Sequence, residues 1–176
     1  MHKLMTTHIA LLRAINVAGY QPVSMAGLRT FATELGLRNV RTLLQSGNLV
    51  FDTDKTDVDE LLEREAKKRL GLETEFIVRT AAEWDKIVAR NPFADEAKAD
   101  PARLHVVFMK GKAKSFAWPG PEIVRIDGRH LYVTYPNGAG RSKLTARVIE
   151  KGTGTRGTAR NWNTVLKLQR DARIAP

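Results

Sequence analysis

An α+β fold is predicted, on three observations. Short apolar runs alternate with segments of helical periodicity, glycines stop the elements, and the first eighty residues read in the order β-α-β-β-α-β. That order implies a four-stranded antiparallel sheet with both helices on one face, a ferredoxin-like lobe over residues 6–80. A second, smaller α+β lobe over residues 81–176 is basic and closes with two helices. No Gly/Ser linker separates the lobes, so they are expected to pack together, and the crevice between them is the default place for a ligand.

The run His8–Val17 is nearly continuous in apolar residues, as for a strand covered on both faces, and Gly19 and Pro22 break it. Ser24 is placed to cap a helix over Met25–Leu35, where Leu28, Phe31, Ala32 and Leu35 recur at helical spacing; Gly36 stops it. Val40–Gln45 and Asn48–Phe51 flank Ser46-Gly47 as a two-residue hairpin. A helix then runs to Leu70, with Val58, Leu61, Leu62, Glu65 and Ala66 on its inner side and Gly71 as its stop; Glu75–Arg79 is the last strand of the lobe. The acidic run Asp52–Asp59 has Asp57 where a calcium loop needs Gly, so it reads as acids at a helix start. Phe51 is the single aromatic in the two central strands, which argues against an RNA-recognition surface built on stacked bases.

In the second lobe Thr80-Ala-Ala-Glu83 has capping-box form, for a helix with Trp84, Ile87 and Val88 on one face that stops near Asn91-Pro92. Phe93–Pro101 reads as a loop, Arg103–Met109 as a strand, and Lys110, Lys112 and Lys114 as a flexible basic stretch. Glu122–Ile126 and Arg129–Tyr135 flank Asp127-Gly128, a hairpin pair. Ser142 is the expected cap of a helix over Lys143–Lys151 closed by Gly152. Thr158 is the expected cap of a final helix, with Trp162, Val165, Leu166, Leu168 and Ala172 on one side and Arg160, Asn163, Lys167 and Arg170 on the other. No sequence repeat is visible, although helix, strand and hairpin recur in the same order in both lobes.

The chain has 176 residues, a net charge of +10 and no cysteine, which excludes disulfides, zinc-thiolate sites and thiol nucleophiles. No apolar run approaches the ~20 residues of a membrane span, and the start shows no export signal, so a cytoplasmic protein without membrane association is expected. Residues 128–176 carry ten basic residues against only Glu150 and Asp171. Concentrated positive charge of this kind raises the local concentration of anions.

The stretch Pro136–Arg173 holds two Gly-rich basic loops, each leading toward an expected helix start. Unpaired N–H groups and the positive end of the macrodipole make such a place a seat for phosphate or carboxylate. The candidate ligand-binding residues there are Asn137, Gly138, Arg141, Ser142 and Lys143 from the first loop, and Thr158, Arg160 and Asn161 from the second. The first loop is not a Walker A loop, since Gly-Arg-Ser replaces Gly-Lys-Ser or Gly-Lys-Thr. Asn161, on the apolar side of its helix, braces the loop or reaches a ligand. In the first lobe Arg13 and Asn16 interrupt the apolar strand, and Gln45, Ser46 and Asn48 form a polar hairpin tip. As turn chemistry and a snorkelling arginine these residues need no ligand, and spacing alone favours that reading. The four histidines lack metal-ligand spacing, no Gly-x-Ser-x-Gly elbow exists, and no catalytic residue, metal or cofactor is assigned. Tyr132, Tyr135 and Glu150 could titrate near the first loop.

Ala10-Leu-Leu-Arg-Ala-Ile-Asn-Val17, Met25-Ala-Gly-Leu28 and Val40-Arg-Thr-Leu-Leu-Gln-Ser-Gly-Asn48 with Val50-Phe51 resemble the opening of the bacterial family known as domain of unknown function 1697. Tyr135-Pro136-Asn-Gly138 with Ser142-Lys143, and Thr158–Val165 with Lys167-Leu168, are similar to its closing motif. Ala14 stands where the family usually has Gly. The resemblance covers almost the whole chain and implies an α+β protein with ferredoxin-like elements and no assigned activity. It adds weight to Arg13, Asn16, Gln45, Ser46 and Asn48, on which the family's motifs fall. The expected function is binding of an anionic partner, either a phosphorylated small molecule, a nucleotide or a nucleic acid, through the basic C-terminal loops. The alternatives are a small enzyme with an inter-lobe site, and polar motifs that only lock the lobes together.

Overall fold

The computed structural model describes residues 4–13, 23–43 and 47–174. Its fold is α+β, with two antiparallel four-stranded sheets. It divides into two compact units, residues 1–85 with 168–176, and residues 86–167.

The first unit is built on β1 (Thr6–Leu12), which lies inside the sheet between β3 (Asn48–Thr53) and β4 (Phe76–Thr80), antiparallel to both. Its central place explains the continuous apolar run, since Ile9, Ala10 and Leu11 are buried on both faces. The edge strand β2 (Arg38–Leu43) completes the order β2-β3-β1-β4. Helix α1 (Met25–Glu34) is capped by Ser24, whose Oγ accepts from the Gly27 N–H at 2.9 Å. Helix α2 (Val58–Leu70) has Asp59 and Glu60 in its first turn, Lys67, Lys68 and Arg69 in its last, and Gly71 at φ +64° as its stop. Leu28, Phe31 and Ala32 of α1 and Val58, Leu62 and Ala66 of α2 meet Ala10, Leu12, Leu49, Phe51 and Phe76 of the sheet. Truncating Leu62 to Ala in such a core costs about 2–5 kcal/mol. Strand β1 ends at Leu12; the part of the expected run at 14–17 lies, with the rest of residues 14–22 and the hairpin tip 44–46, outside the described residues.

Helix α3 (Ala81–Ala89) follows β4 without a loop, because Thr80 ends the strand and caps the helix: its Oγ1 accepts from the Glu83 N–H at 3.1 Å. Residues 93–101 are not a loop throughout. They contain α4 (Ala94–Ala99), a six-residue helix too short to show apolar periodicity.

The second sheet contains β5 (Leu104–Met109), β6 (Ile123–Asp127), β7 (His130–Thr134) and β8 (Gly157–Asn161), in the order β6-β7-β5-β8. Those four strands repeat the order and pairings of β1 to β4. Helix α5 (Ala146–Thr153) stands in the chain where α2 does, and α6 (Trp162–Ala172) where α3 does. Register repeats as well: Ile9 lies opposite Arg79 and His8 opposite Thr80, while Val106 lies opposite Arg160 and His105 opposite Asn161. The place of α1 is taken by residues 110–122, from which Phe116 and Trp118 pack against Val107, Leu131, Val133 and Ile149.

Three expectations for the C-terminal stretch are corrected. The helix expected from Lys143 starts at Ala146, with Thr145 as its cap accepting from the Val148 N–H at 3.3 Å. It passes through Gly152, where the Phe116 ring fills the space a side chain would take, and stops at Gly154 at φ +75°. A strand, β8, then separates the two closing helices, so Thr158 and Arg160 are strand residues and neither belongs to α6.

Candidate functional site

The loop after β7 is fastened from inside. Tyr135 donates its hydroxyl to the Leu144 carbonyl at 3.2 Å, and Arg103 donates to the Pro136 carbonyl at 2.7 Å. Gly138, at φ +84°, turns the chain into a three-residue 3-10 turn, Ala139–Arg141. The hydroxyl of Ser142 donates to a carboxylate oxygen of Glu122 and accepts from the Leu144 N–H at 2.9 Å. The indole of Trp118 donates to the other oxygen of Glu122 at 2.8 Å. These bonds, that from Ser142 first, hold the Glu122 carboxyl below its usual range. Burial, with Glu122 nearby, pushes Tyr135 up to about 12. The polar groups of Ser142 and Tyr135 are thus used within the loop, and of the candidates here Asn137, Arg141 and Lys143 are the exposed ones.

The second group of candidates is differently placed. Arg160 is buried in β8 and donates to Thr158 Oγ1 at 2.9 Å and to the Ala159 carbonyl at 2.8 Å; burial lowers its pKa to about 10. The side chain of Asn161 caps α6 by accepting from the Thr164 N–H at 3.0 Å. Thr158 and Arg160 therefore meet within β8, just before the start of α6 that Asn161 caps. In the first unit Asn48 is fully buried and donates to the Leu43 carbonyl at 2.9 Å, closing the base of the hairpin. The backbone of Arg13 is held by the Glu75 carbonyl at 2.9 Å and by the Thr74 hydroxyl at 3.0 Å. Asn16, Gln45 and Ser46 lie outside the described residues.

A different cluster forms at the hairpin end of the second sheet, where β5 ends and β8 begins. The Lys110 N–H donates to the Arg156 carbonyl at 2.7 Å, Gly111 to Thr155 Oγ1 at 2.9 Å and Lys114 to the Thr153 carbonyl at 2.9 Å. Met109 and Ala113 donate to the carbonyls of Arg129 and Gly128 in the hairpin turn, at 2.8 and 2.9 Å. The stretch expected to be flexible is thus pinned to two other segments. Lys110, Lys112, Lys114, Arg129 and Arg156 come together there, with Lys151 two residues before Thr153, and all but Lys110 are exposed.

Few carboxylates oppose them. Between Leu104 and Lys167 the acids are Glu122, Asp127 and Glu150. Glu122 is held as described. Asp127 lies 3.6 Å from Arg90 and 3.4 Å from His130, and Glu150 accepts from the Gly157 N–H at 3.2 Å. Lys112, Lys114 and Lys151 take part in no ion pair among the described residues. The sequence signal for this cluster was the alternation of lysines at 110, 112 and 114; its convergence with residues 151–156 is tertiary. Among the described residues no three His, Asp or Glu side chains are grouped to hold a metal, and no helix is long and apolar enough to cross a membrane.

Residues 5–133 match the model of a family described as protein of unknown function, DUF1697. The chain belongs to that family. The DUF1697 match takes in the whole first sheet and ends in β7, before the Gly-rich loop and β8. No curated protein matches the chain. Among solved structures it is similar to the conserved bacterial protein SP0830 from Streptococcus pneumoniae, with a TM-score of 0.72 and 21% identity over 97% of this chain and 100% of that one. At that identity the likeness concerns the fold alone.

Proposed function

We propose that this DUF1697 protein binds the phosphate backbone of a nucleic acid with the hairpin end of its second sheet. The observation that carries the reading is the meeting of Lys110, Lys112 and Lys114 with Arg129, Lys151 and Arg156, in a stretch, residues 104–167, whose three acids each have a partner. The cations are spread over an exposed rim, which suits a chain of phosphates better than one enclosed phosphate. Phe116 and Trp118 are packed on the core, so the support is for backbone contacts rather than base stacking.

Fluorescence anisotropy with labelled single- and double-stranded oligonucleotides, beside labelled ATP, tests this across a salt series. The expected result is oligonucleotide binding whose log affinity falls linearly with log salt, by on the order of 0.7–0.9 per phosphate contacted. Lys112→Glu combined with Lys151→Glu should weaken binding and flatten that slope. Arg141→Glu, at the opposite end of β7, should change both much less. No oligonucleotide binding at low salt would defeat the reading, and binding of ATP alone would replace it with a small-ligand site.

A further inference from the structure

The two sheets repeat a row of residues as well as a strand order, and the repeat is broken at one charge. Across the first sheet one row runs Arg41, Val50, Ile9, Arg79; across the second the matching row runs Arg125, Tyr132, Val106, Arg160. Arg125 on edge strand β6 is thus the counterpart of Arg41 on edge strand β2.

Arg41 uses all three of its guanidinium nitrogens. NH1 donates to a carbonyl of its own strand, Asn39, at 2.9 Å. Nε and NH2 both go to Asp171 of α6, the first to its carboxylate at 3.2 Å and the second to its backbone carbonyl at 2.9 Å. Arg125 repeats one of these three bonds. Its NH1 donates to the carbonyl of its own strand at Val124, at 3.2 Å. Its Nε and NH2 have no partner among the described residues, and the side chain is exposed. The reason lies in the matching helix. Asp171 is ten residues beyond the cap Asn161, and ten residues beyond the cap Thr80 stands Arg90, a cation that pairs with Asp127 instead.

The backbone edges differ in the same sense. β2 carries a register break between Arg38 and Arg41, with Asn39 at φ +51°, a device that blunts a sheet edge. β6 is regular over five consecutive pairs, Ile123–Asp127, and apart from β7 its backbone hydrogen-bonds no other described segment. Ile123, on the same face as Arg125, is 43% exposed.

We infer that the free edge of β6 docks an acidic, extended peptide segment of another protein, with an Asp or Glu side chain and a peptide carbonyl received by Nε and NH2 of Arg125. Within this chain Asp171, a helix residue, presents that pair of oxygens to Arg41, which sets the acidic chemistry of the occupant; its extended form follows from the regular, open edge of β6. Main-chain pairing along an open edge with alternate side chains read in place is a known mode of peptide capture. A carboxylate on the Nε side of a guanidinium is among the stronger polar contacts. The inference is independent of nucleic-acid binding at the hairpin end.

The test is a titration of the isotope-labelled full chain with a capped Val-Asp-Val-Asp-Val-Asp peptide at up to millimolar concentration, read by amide chemical shifts. Shifts centred on Ile123–Asp127 are expected, with affinity weakened about tenfold or more in Arg125→Gln and unchanged in Lys151→Glu. Oligonucleotide binding by Arg125→Gln should stay at the level of the parent. Absence of shifts, equal binding of the Val-Asn analogue, equal binding by Arg125→Gln, or shifts confined to residues 110–114 and 151–156 would each overturn the inference. Concentration-dependent self-association through β6 would overturn it too, by making a second copy the occupant.

Discussion

Thr80 and Asn161 are counterparts: each is the last residue of a fourth strand, and each accepts with its side chain from the N–H three residues on, Glu83 and Thr164. A strand passes directly into a helix only if the first free N–H groups find acceptors, and these residues supply one without a loop. Asn161→Ala should therefore lower stability by about 0.5–2 kcal/mol, Asn161→Asp by much less, and neither should alter oligonucleotide affinity. Urea unfolding of the three proteins, alongside the anisotropy assay, checks both halves. A large loss of binding at full stability would make Asn161 a ligand residue after all.

The Glu122–Ser142 pair sets an acid limb. The folded carboxyl lies below the ordinary glutamate value of 4.5, held there first by Ser142 and then by Trp118, so its contribution is fully present above 4.5 and is lost as pH falls through the lower folded value. Ser142→Ala should destabilise the protein at neutral pH, on the order of 1.5–3 kcal/mol for a hydrogen bond to a charged group. The gap from the parent should narrow as pH falls below the ordinary carboxylate range. Part of the loss will persist at every pH, because the Leu144 N–H also loses its acceptor. Thermal melts from pH 3 to 8 provide the comparison; a gap that stays constant would mean Glu122 is not the titrating partner.

Gly157, at the start of β8, allows no side chain. An added Cβ would lie 2.6 Å from the Phe108 carbonyl oxygen and 2.5 Å from Met109 Sδ, and the backbone atom cannot step aside. Gly157→Ala is expected to cost about 1–3 kcal/mol or more through overpacking. By contrast Gly140→Ala, with open space around it, should be close to neutral. Comparable denaturation midpoints for the two would contradict the register assigned to β8.

Legibility in the sequence followed locality. Ser24, Gly71 and Asp127-Gly128 announce a cap, a stop and a hairpin through chemistry within four residues of themselves, and all three stand as read. Gly-Thr-Ala-Arg-Asn, the whole of β8, has no alternation to mark it, and only pairing with β5 makes it a strand. Helical periodicity over this stretch consequently places the buried Arg160 on a solvent face. The lysines at 110–114 look unstructured because their partners stand some forty residues away, at Thr153, Thr155 and Arg156. The order of elements already recurs in the sequence, but the repeated register was hidden for a similar reason: the pairs Ile9–Arg79 and Val106–Arg160 match across the sheets, which no comparison of neighbours in sequence can detect.

The first unit also contains the end of α6. Arg41 binds Asp171, and Asp85 accepts from Gln169 and from Arg173, each at 2.9 Å. On the ribosome these contacts cannot form in order of synthesis. Arg41 and Asp85 leave the exit tunnel while the residues that satisfy them are still untranslated, and roughly the whole second sheet must emerge in between. The N-terminal half is thus made first and finished last. A nascent chain stalled before Leu168 should display Arg41 and Asp85 to proteases and chaperones, and release of the last helix should withdraw them.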